Sequence, residues 1–184
     1  MELQGERLIP ADVDRTWHAL NDPDTLKACI PGCESVTRTG DNSFEALVAV
    51  KVGPVSARFK GKLQMTNVEP PRAYTINFDG QGGAAGFGKG SADVALTAEG
   101  TSTRLRYNAK AQVGGKMAQI GSRLIDAAAQ KLTEEFFSQF EAQLRPAEAA
   151  ATAAEPAAKA GGVSGWWWLL AAIVAAVMAY YVMR

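Results

Sequence analysis

The stretch Gly83-Ala84-Ala85-Gly86-Phe87-Gly88-Lys89-Gly90 comes within one residue of a phosphate-binding loop. Gly90 stands where a Ser or Thr must hold magnesium. The residues that follow, SADVALTAEG, alternate like a strand, whereas a phosphate loop must open a helix to use its amides and dipole. The overlapping Gly80-x-Gly82-x-x-Ala85 fails for the same reason. Nucleotide binding is therefore set aside in favour of a mobile, side-chain-poor hairpin at a sheet rim, where glycine permits open backbone geometry. In a cavity protein such a hairpin is a candidate gate.

Cys29 and Cys33 flank Pro31-Gly32. A reactive pair needs a lowered thiol pKa, and no neighbour in sequence clearly supplies one. No secretion leader is read at the N-terminus, so reduced thiols packing as small apolar groups are expected; a docking loop at IPGCE is the other reading. His18, the only histidine, has no assigned acid, nucleophile or metal partner. Two cysteines and one histidine cannot make a four-ligand Cys/His zinc site, and no metal is assigned. Asp12/Asp14 read as a helix cap, and Glu134/Glu135 as a solvated face. Phe136, Phe137 and Phe140 form an aromatic stripe that suits either plain core or ligand contact. No catalytic residue is assigned.

These groups must be held by elements, and the pattern specifies them. One strand carries Phe44, Ala46, Val48, Val50 and Val52 on one face, and Gly53-Pro54 turns the chain. Ala57, Phe59, Gly61, Leu63 and Met65 form the next apolar face, then Tyr74, Ile76 and Phe78. Ala92, Val94 and Leu96 follow, and then Leu105, Tyr107, Ala109, Ala111 and Val113. Period-two alternation with one polar face predicts an antiparallel sheet solvated on one side. Met117, Ile120, Leu124, Ala128, Leu132, Phe136, Phe140 and Leu144 recur at helical spacing and predict one long helix over 116–144. Residues 2–10 read as a strand. Short helices are expected after Asp12 or Asp14 and after Asp22-Pro23.

The 184 residues divide by composition. Residues 1–145 read as one soluble α+β domain. With Lys159, Arg184, Glu148 and Glu155 set aside, it carries seventeen basic and seventeen acidic residues. That balance argues against nucleic acid as a partner, which requires a basic footprint. Residues 146–165, PAEAAATAAEPAAKAGGVSG, are a linker that would span on the order of 25 Å as a flexible coil. From Trp166 to Met183 there is no charge. As a helix this run would be about 27 Å long, close to a bilayer core. Trp166–Trp168 at one rim and Tyr180-Tyr181 at the other match interfacial aromatic belts. Residues 166–184 are thus expected to be a C-terminal transmembrane anchor, with an interfacial or re-entrant segment as the alternative.

The order of elements resembles the helix-grip arrangement of START-like (SRPBCC) domains, in which a curved antiparallel sheet grips a long C-terminal helix. Within that group, Asp22-Pro23-Asp24-Thr25-Leu26 leading into Cys29-Ile30-Pro31-Gly32-Cys33-Glu34 resembles the CoxG family of carbon monoxide dehydrogenase subunits. So do Lys51–Val55, Phe59–Lys62, the glycines from Gly80 to Gly90, Val113–Lys116 and Ile120–Leu124. The resemblance implies an internal cavity, expected to be bounded by Phe59, Leu63, Tyr74, Ile76, Phe78, Tyr107, Ile120, Leu124, Ala128 and Leu132. It implies a partner, a carbon monoxide dehydrogenase-type molybdenum hydroxylase. It also suggests a bound lipophilic quinone, menaquinone or ubiquinone. The expected role is a membrane-tethered adaptor on the cytoplasmic face of the bacterial cell membrane. The alternatives are a START-like cyclase or hydrolase, and a dehydrogenase assembly factor.

Overall fold

The computed structural model describes residues 1–145. The expected linker (146–165) and anchor (166–184) lie outside the described residues. Among the described residues, no helix is long and apolar enough to cross a membrane.

The chain runs β1 (Glu2–Ile9), α1 (Val13–Leu20), α2 (Pro23–Cys29), β2 (Cys33–Gly40), β3 (Ser43–Val52), β4 (Val55–Glu69) and β5 (Ala73–Gln81). A single 3-10 turn (Gly83–Ala85) follows, then β6 (Phe87–Glu99), β7 (Ser102–Gly114), α3 (Lys116–Gln119) and α4 (Ser122–Leu144). The seven strands form one antiparallel sheet in the order β1-β7-β6-β5-β4-β3-β2. The first strand in sequence therefore pairs with the last, and β2 and β1 are the edges.

Local chemistry starts and stops these elements. Asp12 caps α1 by accepting the Arg15 amide at 2.8 Å. Asp22 caps α2 by accepting the Thr25 amide at 2.8 Å and the Thr25 hydroxyl at 2.6 Å. Pro23 occupies the first turn of α2, where no amide donor is needed. Gly53 has φ +55° and, with Pro54, makes the tight β3–β4 turn that pairs Val52 with Val55.

Two buried apolar clusters hold the layers together. Ile9, Ala11, Cys29, Leu96, Leu105, Phe137, Phe140 and Leu144 seal the C-terminal half of α4 onto β1 and β7. Phe44, Met65 and Tyr74 form a second cluster on β3–β5, flanked by Trp17, Leu63, Ile76 and Val94. Thr103 is fully buried and donates its hydroxyl to the Ala11 carbonyl at 2.8 Å, which satisfies the polar group the burial would otherwise strand.

Two expectations are corrected. The single helix over 116–144 is broken: α3 ends at Gln119, and Gly121, at φ +94°, restarts the chain as α4. A left-handed residue cannot continue a right-handed helix, and glycine adopts that geometry without a Cβ penalty. The glycine-rich stretch is the expected hairpin: β5 runs to Gln81, β6 begins at Phe87, and the two pair antiparallel. Its tip is packed. Ala85 is buried, Gly82 donates its amide to the Gly86 carbonyl at 2.8 Å, and a β-carbon on Gly86 would run into the Gly114 carbonyl oxygen. Finally, β2 has no counterpart among the expected strands. It is an edge strand in which Cys33 and Val36 are only half-buried and every other residue is exposed.

Candidate functional site

Inward-facing residues of adjacent strands fall in rows across the sheet. One row runs Gly5 on β1, Tyr107 on β7, Val94 on β6 and Tyr74 on β5, each paired with the next. A second places Phe44 against Leu63, and Ala46 against Gly61. Above them stand Leu26 and Ile30 from α2 and its end, Leu20 from α1, and Phe136 and Phe137 from α4. Together with Val36, Met65, Ile76 and Leu105 these enclose a cavity of about 230 Å³. The sheet curves under the helix, and the small side chain of Ala46 on the wall leaves space unfilled.

The wall is aliphatic and aromatic; among the described residues its only polar side chains are Tyr74 and Tyr107. They differ in setting. Tyr107 stacks on Phe137 with ring centres 5.4 Å apart, and its hydroxyl lies over Gly5 at the edge strand. Tyr74 is 4% exposed, with the Trp17 ring edge-on at 5.3 Å. Burial alone pushes the Tyr74 phenol well above its ordinary pKa, so it stays protonated. Arg7 lies 5.6 Å over the Phe137 ring and pairs with Glu134.

Of the ten expected wall residues, the structure brings four together at this cavity: Leu63, Tyr74, Ile76 and Tyr107. The other six lie elsewhere. Phe59 covers Gly82, and Phe78 covers Gly90, both toward the glycine-rich tip. Ile120 sits in the helix break, and Leu124 is 52% exposed. Ala128 and Leu132 are half-buried on α4 but do not line this space. The aromatic stripe divides: Phe136 and Phe137 line the cavity, and Phe140 is core.

Sequence reasoning missed Phe44, Ala46, Met65, Val94 and Leu105 as wall residues, although their inward parity was visible. It also missed the contribution of Leu20, Leu26 and Ile30, because apolar residues on short helices give too few repeats to define a face.

The remaining candidates take structural places. Cys29 and Cys33 are free thiols, and burial pushes both thiols up, the opposite of activation. His18 is exposed in the last turn of α1. Glu135 pairs with Lys131 one helical turn away, and Glu134 with Arg7. The IPGC turn is shaped by Gly32 at φ +73°, whose carbonyl accepts the Ala49 amide at 2.8 Å. That bond seats the end of α2, and with it Ile30, over the sheet.

The fold recurs in solved structures. A conserved protein from Geobacillus kaustophilus matches with a TM-score of 0.73 and 29% identity, over 78% of this chain and 95% of its own. A START superfamily protein from Mycobacterium smegmatis matches at 0.58 and 16%, over 78% of this chain and 96% of its own. The Zhui aromatase/cyclase from Streptomyces sp. R1128 matches at 0.55 and 12%, over 78% and 93%. The domain is therefore START-like, a curved antiparallel sheet with helices. No curated protein matches the sequence. The profile of the carbon monoxide dehydrogenase CoxG family covers residues 5–145, including the α2 cap, the IPGC turn and the helix break. The chain belongs to the CoxG family of carbon monoxide dehydrogenase subunits.

Proposed function

We propose that this protein is a membrane-tethered carrier and adaptor. In this reading it holds the ring of a lipophilic quinone between sheet and helix and recruits a carbon monoxide dehydrogenase-type molybdenum hydroxylase to the bilayer. The observation that carries the reading is the apolar cavity of about 230 Å³. It exceeds the roughly 150 Å³ void that is known to take up benzene, and falls short of the ~300–1,000 Å³ of drug-sized sites. A space of that size suits a flat ring system, with any long isoprenoid chain running out of it. Family membership supplies the partner. Such an enzyme takes electrons from its substrate in water, whereas menaquinone or ubiquinone resides in lipid. A carrier on a leash joins the two.

The tether in this reading is the segment 166–184, uncharged from Trp166 to Met183, with the domain on the cytoplasmic face of the bacterial cell membrane. The linker 146–165 sets its reach. Tethering raises the effective concentration of the domain at the membrane without any new contact.

A START-like enzyme is the second reading, favoured by the fold shared with an aromatase/cyclase. It would need convergent acid and base groups. The cavity wall offers two phenols and no carboxylate, imidazole or ammonium group, which supports binding over catalysis.

The test is chemical and genetic. Organic extracts of the purified full chain, examined by mass spectrometry, should contain a quinone. Deleting residues 166–184 should leave dye-linked dehydrogenase activity intact and lower substrate-driven respiration. Loss of dye-linked activity as well would favour an assembly factor. Unchanged respiration after deletion of the whole gene would remove the adaptor reading.

A further inference from the structure

A hydroxyl buried in an apolar wall is costly unless it is partnered. Left unpaired, it has given up its hydrogen bonds to water for nothing, and phenylalanine would fill the same place without that loss. Tyr74 lines the apolar cavity, and no described residue hydrogen-bonds its hydroxyl. The residue is 4% exposed and packs with Phe44 and Met65, flanked by Trp17 and Val94. Its pKa is raised by burial alone, with no hydrogen bond contributing. Water is a poor partner here. An ordered buried water needs two to four polar contacts, and the only other polar side chain on the wall, Tyr107, directs its hydroxyl over Gly5.

We infer that the Tyr74 hydroxyl is the specificity-determining donor of the cavity, positioned for a carbonyl oxygen on a flat apolar ring. This rests on the reading of the cavity as a lipophile site and adds to it which ligands are preferred and which atom is read. A phenol that stays protonated donates at every physiological pH. A ring bearing an acceptor satisfies it, whereas a hydrocarbon of the same shape leaves it stranded. Discrimination of this kind comes from the cost of the unpaired protein group as much as from the bond formed.

The test compares the wild-type full chain with Tyr74→Phe, both in mild detergent. Each is titrated calorimetrically with 2-methyl-1,4-naphthoquinone and with 2-methylnaphthalene, after subtraction of partition into empty micelles. The quinone-to-hydrocarbon affinity ratio should fall about 2- to 12-fold in the variant, the size of one net hydrogen bond. Infrared difference spectra should show a carbonyl stretch of bound quinone lowered in the wild type and not in the variant. Ligand-free Tyr74→Phe should melt at the same temperature or higher. An unchanged ratio with both ligands bound would overturn the role of Tyr74 and leave the cavity reading standing. A lower melting temperature would also overturn it, since the hydroxyl would then be partnered within the protein. If neither ligand binds either chain, the lipophile reading itself fails and this inference with it.

Discussion

Tyr107 lies across Gly5 so closely that a β-carbon at residue 5 would stand 2.6 Å from its hydroxyl oxygen. The two residues are direct partners on β7 and β1, and the ring is fixed on its other side by Phe137. Gly5→Ala therefore drives Tyr107 toward the cavity. The expected cost is about 1–3 kcal/mol of overpacking, together with loss of ligand uptake. Urea unfolding and naphthoquinone titration check both. Full uptake with unchanged stability would show that Tyr107 swings aside freely.

Ala46 faces Gly61 across β3 and β4 and stands on the cavity wall. Ala46→Phe should place its ring in the void, abolish ligand binding and leave stability nearly unchanged. In a filled core the same substitution would cost about 1–3 kcal/mol, so thermal melts and binding read together separate the cases. Ala128→Trp is the matched control. Ala128 does not line this space, and ligand binding should survive.

The tip of the β5–β6 connection is locked to the start of α3 by glycines. A β-carbon on Gly115 would come 2.5 Å from the Gly86 α-carbon, and both residues have positive φ, +75° and +115°. Gly86→Ala should destabilise the domain by about 1–3 kcal/mol through backbone strain. The loss should be concentrated locally. Hydrogen exchange at the Ala118 amide, which donates to the Gly115 carbonyl at 3.2 Å, should quicken more than at strand amides such as Leu96.

Asp22 caps α2, and the hydrogen bonds from Thr25 hold its carboxyl below the usual aspartate range. Asp22→Ala should cost about 0.5–2 kcal/mol at neutral pH. Because the folded pKa is depressed, this contribution is present above the unfolded value. It disappears as pH falls through the folded one. Chemical denaturation from pH 7 down to pH 2 should show the wild-type advantage shrinking to nothing at the acid end. An advantage that persists there would mean the stabilisation is not carried by the ionised carboxylate.

The sheet was largely legible. Alternation from Phe44 to Val52 and from Leu105 to Val113 names the inward residues, and β3 and β7 cover those spans. The edge strand β2 was not, because a half-exposed edge has no apolar face to alternate. Tyr74, Ile76, Leu63 and Tyr107 could be placed at the cavity because parity assigns a face. Phe59 and Phe78 share that face yet lie nearer the tip, because periodicity does not say where along a strand the helix stands overhead. The helix residues fared worst. Ile120 lies before the break at Gly121, and Leu124, twelve residues ahead of Phe136 on the same helix, is turned about 120° away from it and is exposed.

The position of the last turn of α4 has a mechanical side. Leu144 is 5% exposed and Phe140 is fully buried, both within the cluster that joins α4 to β1 and β7. Tension arriving along the chain from beyond Arg145 thus enters the domain at a buried end of α4. That end of α4 is the one that carries Phe136 and Phe137 over the cavity, so a pull from the C-terminal side acts on the part of the helix that roofs the ring-sized space.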